Sequence, residues 1–410
     1  MRELQKALDE VLAELPYKML ASLVRRRLAA QGVRLSARET RKLEQGIKSA
    51  TSGEFQYHSG RWWDRRHATV ELSEADVKEL EGRALDFIDR RLPELIESEI
   101  YEISRATRDR LDRAWRGEAR RQRRLGAGFR SRLERRWREP LDLLRMLLTV
   151  AREFGDEVNR ETRNVVKRTV PPKVEVLTRC HARACQVTEE VVCLLAGGFA
   201  DGAVARWRTL HEIAVVAAFI GEGGDTLAER YLAHRAVQSF SAARVYERCQ
   251  GALGYEPITA SEMAAVQRAH DAAVERFGSP FHTQYGWAAE ALGKKRPTFE
   301  DIERAAGIQR LRAHYRYASH NVHANATGAF LRLGLLPEHQ VLLAGPSNFG
   351  LADAGHATAI SLLQVSACLV VLAPVLDNII ALRIMEQLEQ DIGQAFLAVQ
   401  TVLSRVAARH

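Results

Sequence analysis

Residues 315–328 read YRYASHNVHANATG and set an arginine, a serine and two histidines among small residues. Metal-independent RNA cleavage needs a base for the 2′-OH proton, an acid for the 5′-oxygen and a cation for the pentacoordinate phosphate. Histidine suits the first two roles because its ordinary pKa lies near neutrality. Arginine suits the third, since its fork of donors matches phosphate oxygens and stays charged. On that chemistry one reading of the stretch is His323 as base or acid and Arg316 as phosphate clamp, with Ser319 and His320 beside them.

If 308–328 is one helix at about 100° per residue, Arg312, Arg316, Ser319, His320 and His323 share a stripe. Leu311, Tyr315, Ala318, Val322 and Ala326 then form a core face. Three other readings of this stripe stand beside the catalytic one. It can be a structural network, for which Glu212 and Glu229 are ready acids, because a buried Arg–Glu pair needs such support. It can line a ligand pocket. It can bind metal through His320-x-x-His323 with His211 and Glu212, but no HExxH accompanies it, and no metal or cofactor is expected.

Upstream, RWRTLHE carries Arg206, Arg208, His211 and Glu212 on a helix whose apolar face is Leu210, Ile213, Ala214 and Ala217. Either Arg206 pairs with an acid and the helix is structural, or Arg206, Glu212 and Arg312 support a pocket around His323.

The formal net charge is +8 over 410 residues, and it is concentrated. From Arg105 to Arg138 there are 14 arginines and 4 acids, a balance of +10, so the remainder is 8 − 10 = −2. Trp115, Phe129 and Trp137 are interleaved with these arginines, the pattern of phosphate contact with base stacking. Arg120, Arg121, Arg123, Arg124, Arg130, Arg135 and Arg136 are the candidate nucleic-acid contacts. The alternative is a solvated arginine-rich helix, or one at a subunit interface.

The elements that must position these groups read as helices nearly throughout. With 46% hydrophobic and 27% charged residues and only 11 prolines, the composition is that of a globular chain and argues against long disordered tracts. Five cysteines in a chain of this size form no disulfide framework and fit a reducing cytoplasm. The N-terminus reads as an amphipathic helix with Leu4, Leu8, Val11, Leu12 and Leu15 on one stripe, so no secretory leader is expected. Residues 359–384 are the most apolar, but Gln364, Pro374, Asp377 and Asn378 point to a buried helix and not a membrane span.

Ser36 and Glu39 form a capping-box pattern, 51–70 reads as a loop or short hairpin, and Pro93 marks a break. Gly126 and Gly128 interrupt the basic stretch, Pro140 lies near a helix start, and Pro171–Pro172 is the best linker. Asp225 is expected to cap a long helix. The expected fold is an all-α multi-helix bundle in three parts: a charged helical region 1–104, an arginine-rich segment with linker helices 105–172, and the bundle 173–410.

The stretch HARACQVTEEVVCLLAGGFADGAVARWRTLHEIAVVAAFI, with AERYLAHRAV and YRYASHNVHA, resembles the bacterial family labelled domain of unknown function 5677. The matching features are RWRTLHE, the tyrosine segment RYL, and Ser319 followed four residues later by His323. A more distant resemblance is to HEPN domains, all-α bundles of prokaryotic ribonucleases, toxins and antiphage proteins. Their active members carry arginine, four to six residues, then histidine. Arg316 and His323 enclose six, with Tyr317 where those proteins commonly carry a polar residue. That resemblance implies a metal-independent endoribonuclease in which two motifs meet across a homodimer, with RNA as partner. The alternative is a non-enzymatic scaffold or a ligand- or partner-sensing module.

Overall fold

Helix caps and apolar stripes account for nearly all the local structure. The computed structural model describes residues 2–48, 54–59, 66–165, 170–323, 325–330, 332–335 and 342–407. The chain is all-α apart from one hairpin among these residues. It divides into two compact units, 1–121 and 122–410.

In the first unit, α1 (Arg2–Ala30) and α2 (Ala37–Lys48) are followed by antiparallel strands β1 (Glu54–Ser59) and β2 (Arg66–Glu71), with Phe55 opposite Val70. Part of the 51–70 segment, residues 51–53 and 60–65, lies outside the described residues; the rest is the hairpin. Val24, Leu28, Val33 and Val70 make a small core. Ser36 bonds Glu39 through both backbone and hydroxyl, closing the expected box. Helix α3 (Glu74–Asp86) opens with a second box, Ser73–Asp76. Arg27 bonds the buried Asp76, and that contact, followed by the bonds from Ser73, holds the Asp76 carboxyl at about 2.

A π-helical turn, Phe87–Arg91, precedes α4 (Leu92–Val165). Pro93 therefore produces a widened turn without ending the helix: its missing N–H is absorbed there. Gly126 and Gly128 do not interrupt α4, whose flanking residues carry helical propensity enough to run through them. The break falls at Trp137 (φ −104°, ψ 16°), three residues before Pro140, where the ring cannot donate to the preceding turn.

The second unit is built from α4 beyond Arg121 with α5 (Pro172–Ala196), α6 (Ala200–Ala233), α7 (Arg235–Leu253), α8 (Ala260–Phe277), α9 (Phe299–Ala305), α10 (Arg312–Val322), α11 (Ala326–Phe330), α12 (Leu351–Val370) and α13 (Leu376–Ala407). The start at Pro172 follows the expected linker, of which residues 166–169 lie outside the described residues. Asp225 caps a different helix from the one expected. Gly224 takes a left-handed conformation (φ 72°) within α6, and the Asp225 carboxylate accepts from the Lys173 backbone N–H at the start of α5. Helix 351–384 is likewise two: Pro374 lies in the break between α12 and α13. No helix among the described residues is long and apolar enough to cross a membrane.

One core runs through this unit, from Trp137 and Leu144 on α4 to Trp207 on α6 and Phe396 on α13. Helices α4 and α5 meet at Gly155, where a Cβ would lie 2.5 Å from the His181 ring. His181 is buried, its Nε2 is 3.2 Å from Ser366 Oγ, and burial holds its imidazole at about 4. An imidazole with a depressed folded-state pKa favours folding only while the unfolded chain also leaves it neutral. Its contribution is therefore full above 6.5 and is lost as pH falls from 6.5 through 4. This residue alone costs about 2 kcal/mol of stability at pH 5. Melting curves of wild type and His181→Gln at pH 7 and pH 5 check it: the variant should lose less on acidification, and equal losses would refute it. His211 and His234, also pushed down by burial, contribute to both proteins alike.

Candidate active site

The site is built where α9 and α10 cover the middle of α6. Trp207 fixes the rotation of α6: it is fully buried and its Nε1 donates to Ala357 O (2.9 Å) and Ser361 Oγ (3.0 Å) on α12. With Trp207 and Leu210 inward, Arg208, His211 and Glu212 are presented to α9 and α10.

Two linked networks result. The inner one is buried. His211 Nε2 lies 2.8 Å from Glu303 Oε1, and neither side chain is exposed. Arg312 closes on the other oxygen, Nη1 to Glu303 Oε2 at 2.8 Å, and reaches Glu300 through Nη2 at 2.6 Å. Arg312 balances the Glu303 charge, while burial pulls the His211 pKa down against the opposing effect of Glu303. A neutral His211 that donates through Nε2 is the consistent assignment.

The outer network reaches the surface. Arg208 Nε donates to Glu212 Oε1 (3.1 Å), Nη2 to the Tyr315 hydroxyl (3.0 Å), and Nη1 lies 3.2 Å from His323 Nε2. Tyr315 donates in turn to Glu212 Oε1 at 2.7 Å. Burial first, then the bond to Glu212, raises the Tyr315 hydroxyl far above the phenol range, so it stays a donor. The Tyr315 ring stacks on Phe299 at 4.9 Å and carries the Arg208 guanidinium 4.7 Å from its centroid. A guanidinium only donates, so the contact with His323 uses the Nε2 lone pair and puts the ring proton on Nδ1.

The single helix expected over 308–328 is three pieces. A 3₁₀ turn, Gln309–Leu311, leads into α10, and α10 ends with His323 as its C-cap. Asn325 caps α11 by accepting from Gly328 N–H (2.9 Å), and its amide lies 2.6 Å from His320 Nδ1. Gly328 is required here because a Cβ would sit 2.1 Å from the His320 carbonyl oxygen. Of the expected core face, Leu311, Tyr315 and Ala318 are buried, whereas Val322 and Ala326 are exposed beyond the last contact with α6.

The candidate residues are placed unequally. His323 is exposed and joined to Arg208; Glu212 and Arg312 belong to the two networks. Arg316 is exposed and has no hydrogen-bond or ion-pair partner among the described residues. Ser319 bonds back to Tyr315 O (3.0 Å), and His320 serves the turn with Asn325. Arg206 faces the other way and pairs with Glu190 of α5. Glu229 bonds Arg276. No group of three His, Cys, Asp or Glu among the described residues could hold a metal ion.

Residues 174–339 match a family described as "Family of unknown function (DUF5677)". The DUF5677 match holds every residue of both networks, from Arg208 to His323. No curated protein matches the chain, and no solved structure does.

Sequence reasoning passed over Arg208 as the partner of His323, and over Glu303. Both left a signal. Arg208 stands four residues before Glu212, the spacing of a helical ion pair. Glu303 falls on the face of Phe299, Ile302 and Ala306, where a charge implies a buried partner.

The arginines proposed to touch nucleic acid are all exposed, and Arg121 is held to Glu118 at 2.9 Å. The interleaved aromatics do not all accompany them. Trp115 is exposed, Phe129 packs against the core, and Trp137 is fully buried with Nε1 donating to Asn348 O at 3.2 Å.

Proposed function

We propose that the chain is a cytoplasmic, metal-independent endoribonuclease of HEPN-like type, a toxin or antiphage effector that acts on RNA as a homodimer. The observation that supports this most is the Arg208–His323 contact: a guanidinium locked by Glu212 and Tyr315 beside an imidazole at the surface. A phosphate arriving there draws the donors of Arg208 and frees the Nε2 lone pair. His323 then takes the 2′-OH proton, O2′ attacks phosphorus, and the P–O5′ bond breaks. The leaving O5′ takes a proton from a second imidazole, the neighbouring His320. Arg208 and the exposed Arg316 offset the phosphorane charge. The products are a 2′,3′-cyclic phosphate and a 5′-hydroxyl, and Arg120–Arg136 hold the RNA backbone.

The test is digestion of tRNA, rRNA and mRNA by purified protein in EDTA, with mapping of the termini. Wild type should yield those ends, and His323→Ala should cut about 10²–10⁴-fold more slowly with an unchanged melting temperature, because His323 is exposed. Intact RNA with and without divalent metal would refute the proposal.

A second reading, a ligand-sensing module without turnover, draws on a different feature. A cavity of about 1020 Å³ lies along α4 and α5, lined among others by Arg152, Asp156, Thr178, Arg179, His181 and Gln186. Its volume suits a small molecule. Protein inert towards RNA but stabilised by a metabolite fraction, with Thr178→Trp blocking the effect, would favour this reading.

A further inference from the structure

The first unit leaves much of an apolar stripe exposed. Along α4, Leu92, Ile96, Ile100, Ile103, Thr107, Leu111 and Ala114 follow spacings of four, four, three, four, four and three. The repeat is eleven residues, a period near 3.67, which keeps the stripe almost straight along an α-helix. Ile100 and Leu111 each keep 59% of their surface exposed, and neighbouring Trp115 keeps 56%. A helix draws most of its stability from burying such a face; here Leu92, Ile96 and Ile103 are half-buried, while Ile100, Thr107, Leu111 and Ala114 are exposed.

The charges beside the stripe change sign halfway along it. Residues 94–102 carry Glu94, Glu97, Glu99 and Glu102 and no basic residue, and the arginines begin at Arg105. At roughly 100° per residue, Glu97 and Glu99 flank the stripe on opposite sides. One repeat later the same two positions are Arg108 and Arg110. Glu97, Glu99 and Arg110 have no ion-pair partner among the described residues, and Arg108 meets only the exposed Asp112 at 3.0 Å. That surface pair is worth little and is readily exchanged.

We propose that this stripe is a homodimer interface in which two copies of α4 pair antiparallel, crossing near Ile103. Ile96 then lies opposite Leu111 of the second copy, and Ile100 opposite Thr107. Glu97 meets Arg108 of the second copy, Glu99 meets its Arg110, and the twofold repeats both pairs. A parallel pairing would oppose acid to acid and arginine to arginine, so the sign change selects the antiparallel one. RNA is a poorer occupant: it would satisfy the arginines but be repelled by the four glutamates and leave the apolar stripe wet. The interface is independent of cleavage and leaves Arg123–Arg136 outside it.

Sedimentation equilibrium of the full chain tests this at tens of micromolar. Wild type should be dimeric, and E97R/E99R should weaken dimerisation at least about 100-fold, as expected for four lost charge pairs with repulsion added. E97R/E99R/R108E/R110E should restore the dimer, since every pair is reinstated with its signs reversed. All four positions are exposed, so the variants should keep the wild-type helical content, and any melting temperature lost with the dimer in E97R/E99R should return in the fourfold variant. A monomeric wild type, a dimer indifferent to E97R/E99R, or no recovery in the fourfold variant would overturn the proposal. A monomer whose RNA affinity falls on R108E/R110E would instead assign the segment to RNA.

Discussion

Glu303→Ala is expected to destabilise the second unit by about 3–5 kcal/mol, the cost of breaking a buried ion pair from one side. Its carboxylate is completely buried and receives His211 on one oxygen and Arg312 on the other. Removing it leaves a partly buried guanidinium with only Glu300 and an imidazole with no polar partner on either nitrogen, since His211 Nδ1 already has none. For a unit of this size the melting temperature should fall by about 5–8 °C. Glu303→Gln keeps the volume and one acceptor and should lose clearly less. In a double-mutant cycle with Arg312→Ala, coupling of at least about 1 kcal/mol is expected. Additive losses would mean that the pair does not act as a unit.

Arg208→Ala should lower the proposed RNA cleavage about 10²–10³-fold, the usual effect of removing one preorganised donor from a charge-stabilising site. Arg316→Ala should cost about tenfold or less. The difference follows from preorganisation. Arg208 is held by Glu212 and Tyr315 and already touches His323, whereas Arg316 has no partner among the described residues and must be ordered for the proposed reaction. Arg208→Lys should recover little, because an ammonium cannot reach Glu212, Tyr315 and the phosphate together. Single-turnover rates with saturating RNA read the comparison directly. A larger loss from Arg316→Ala would return the clamp to the helix that carries His323.

The all-α architecture was legible because its signals are local. The Ser36–Glu39 box and the helix start at Pro172 depend on a few neighbouring residues, and each appears where the sequence puts it. The extent of helices was less legible. Gly126 and Gly128 carry a modest propensity cost that the flanking residues absorb, while Pro374 and Gly224 break helices that hydropathy alone would continue. The site was half legible. Spacing brought His323, Glu212 and Arg312 forward, since one helix face can be counted from sequence. It could not say that α10 ends at His323, nor that the nearest cation would come from 115 residues away. Which helix supplies a partner depends on how α6 is rotated, and Trp207 settles that through bonds to a helix 150 residues distant.

The capping box at Thr298 bears on the order in which the molecule assembles. Helix α9 has seven residues, too few to persist alone in water, and its start is held by Thr298 and Asp301 bonding each other's backbone N–H groups. Glu303 faces His211 only when that first turn is closed, across a separation of 92 residues. Long-range closures of this kind come late in folding. The site therefore depends on a contact between segments distant in the chain, and the His211–Glu303 pair should be among the contacts most sensitive to loss of the closed first turn of α9.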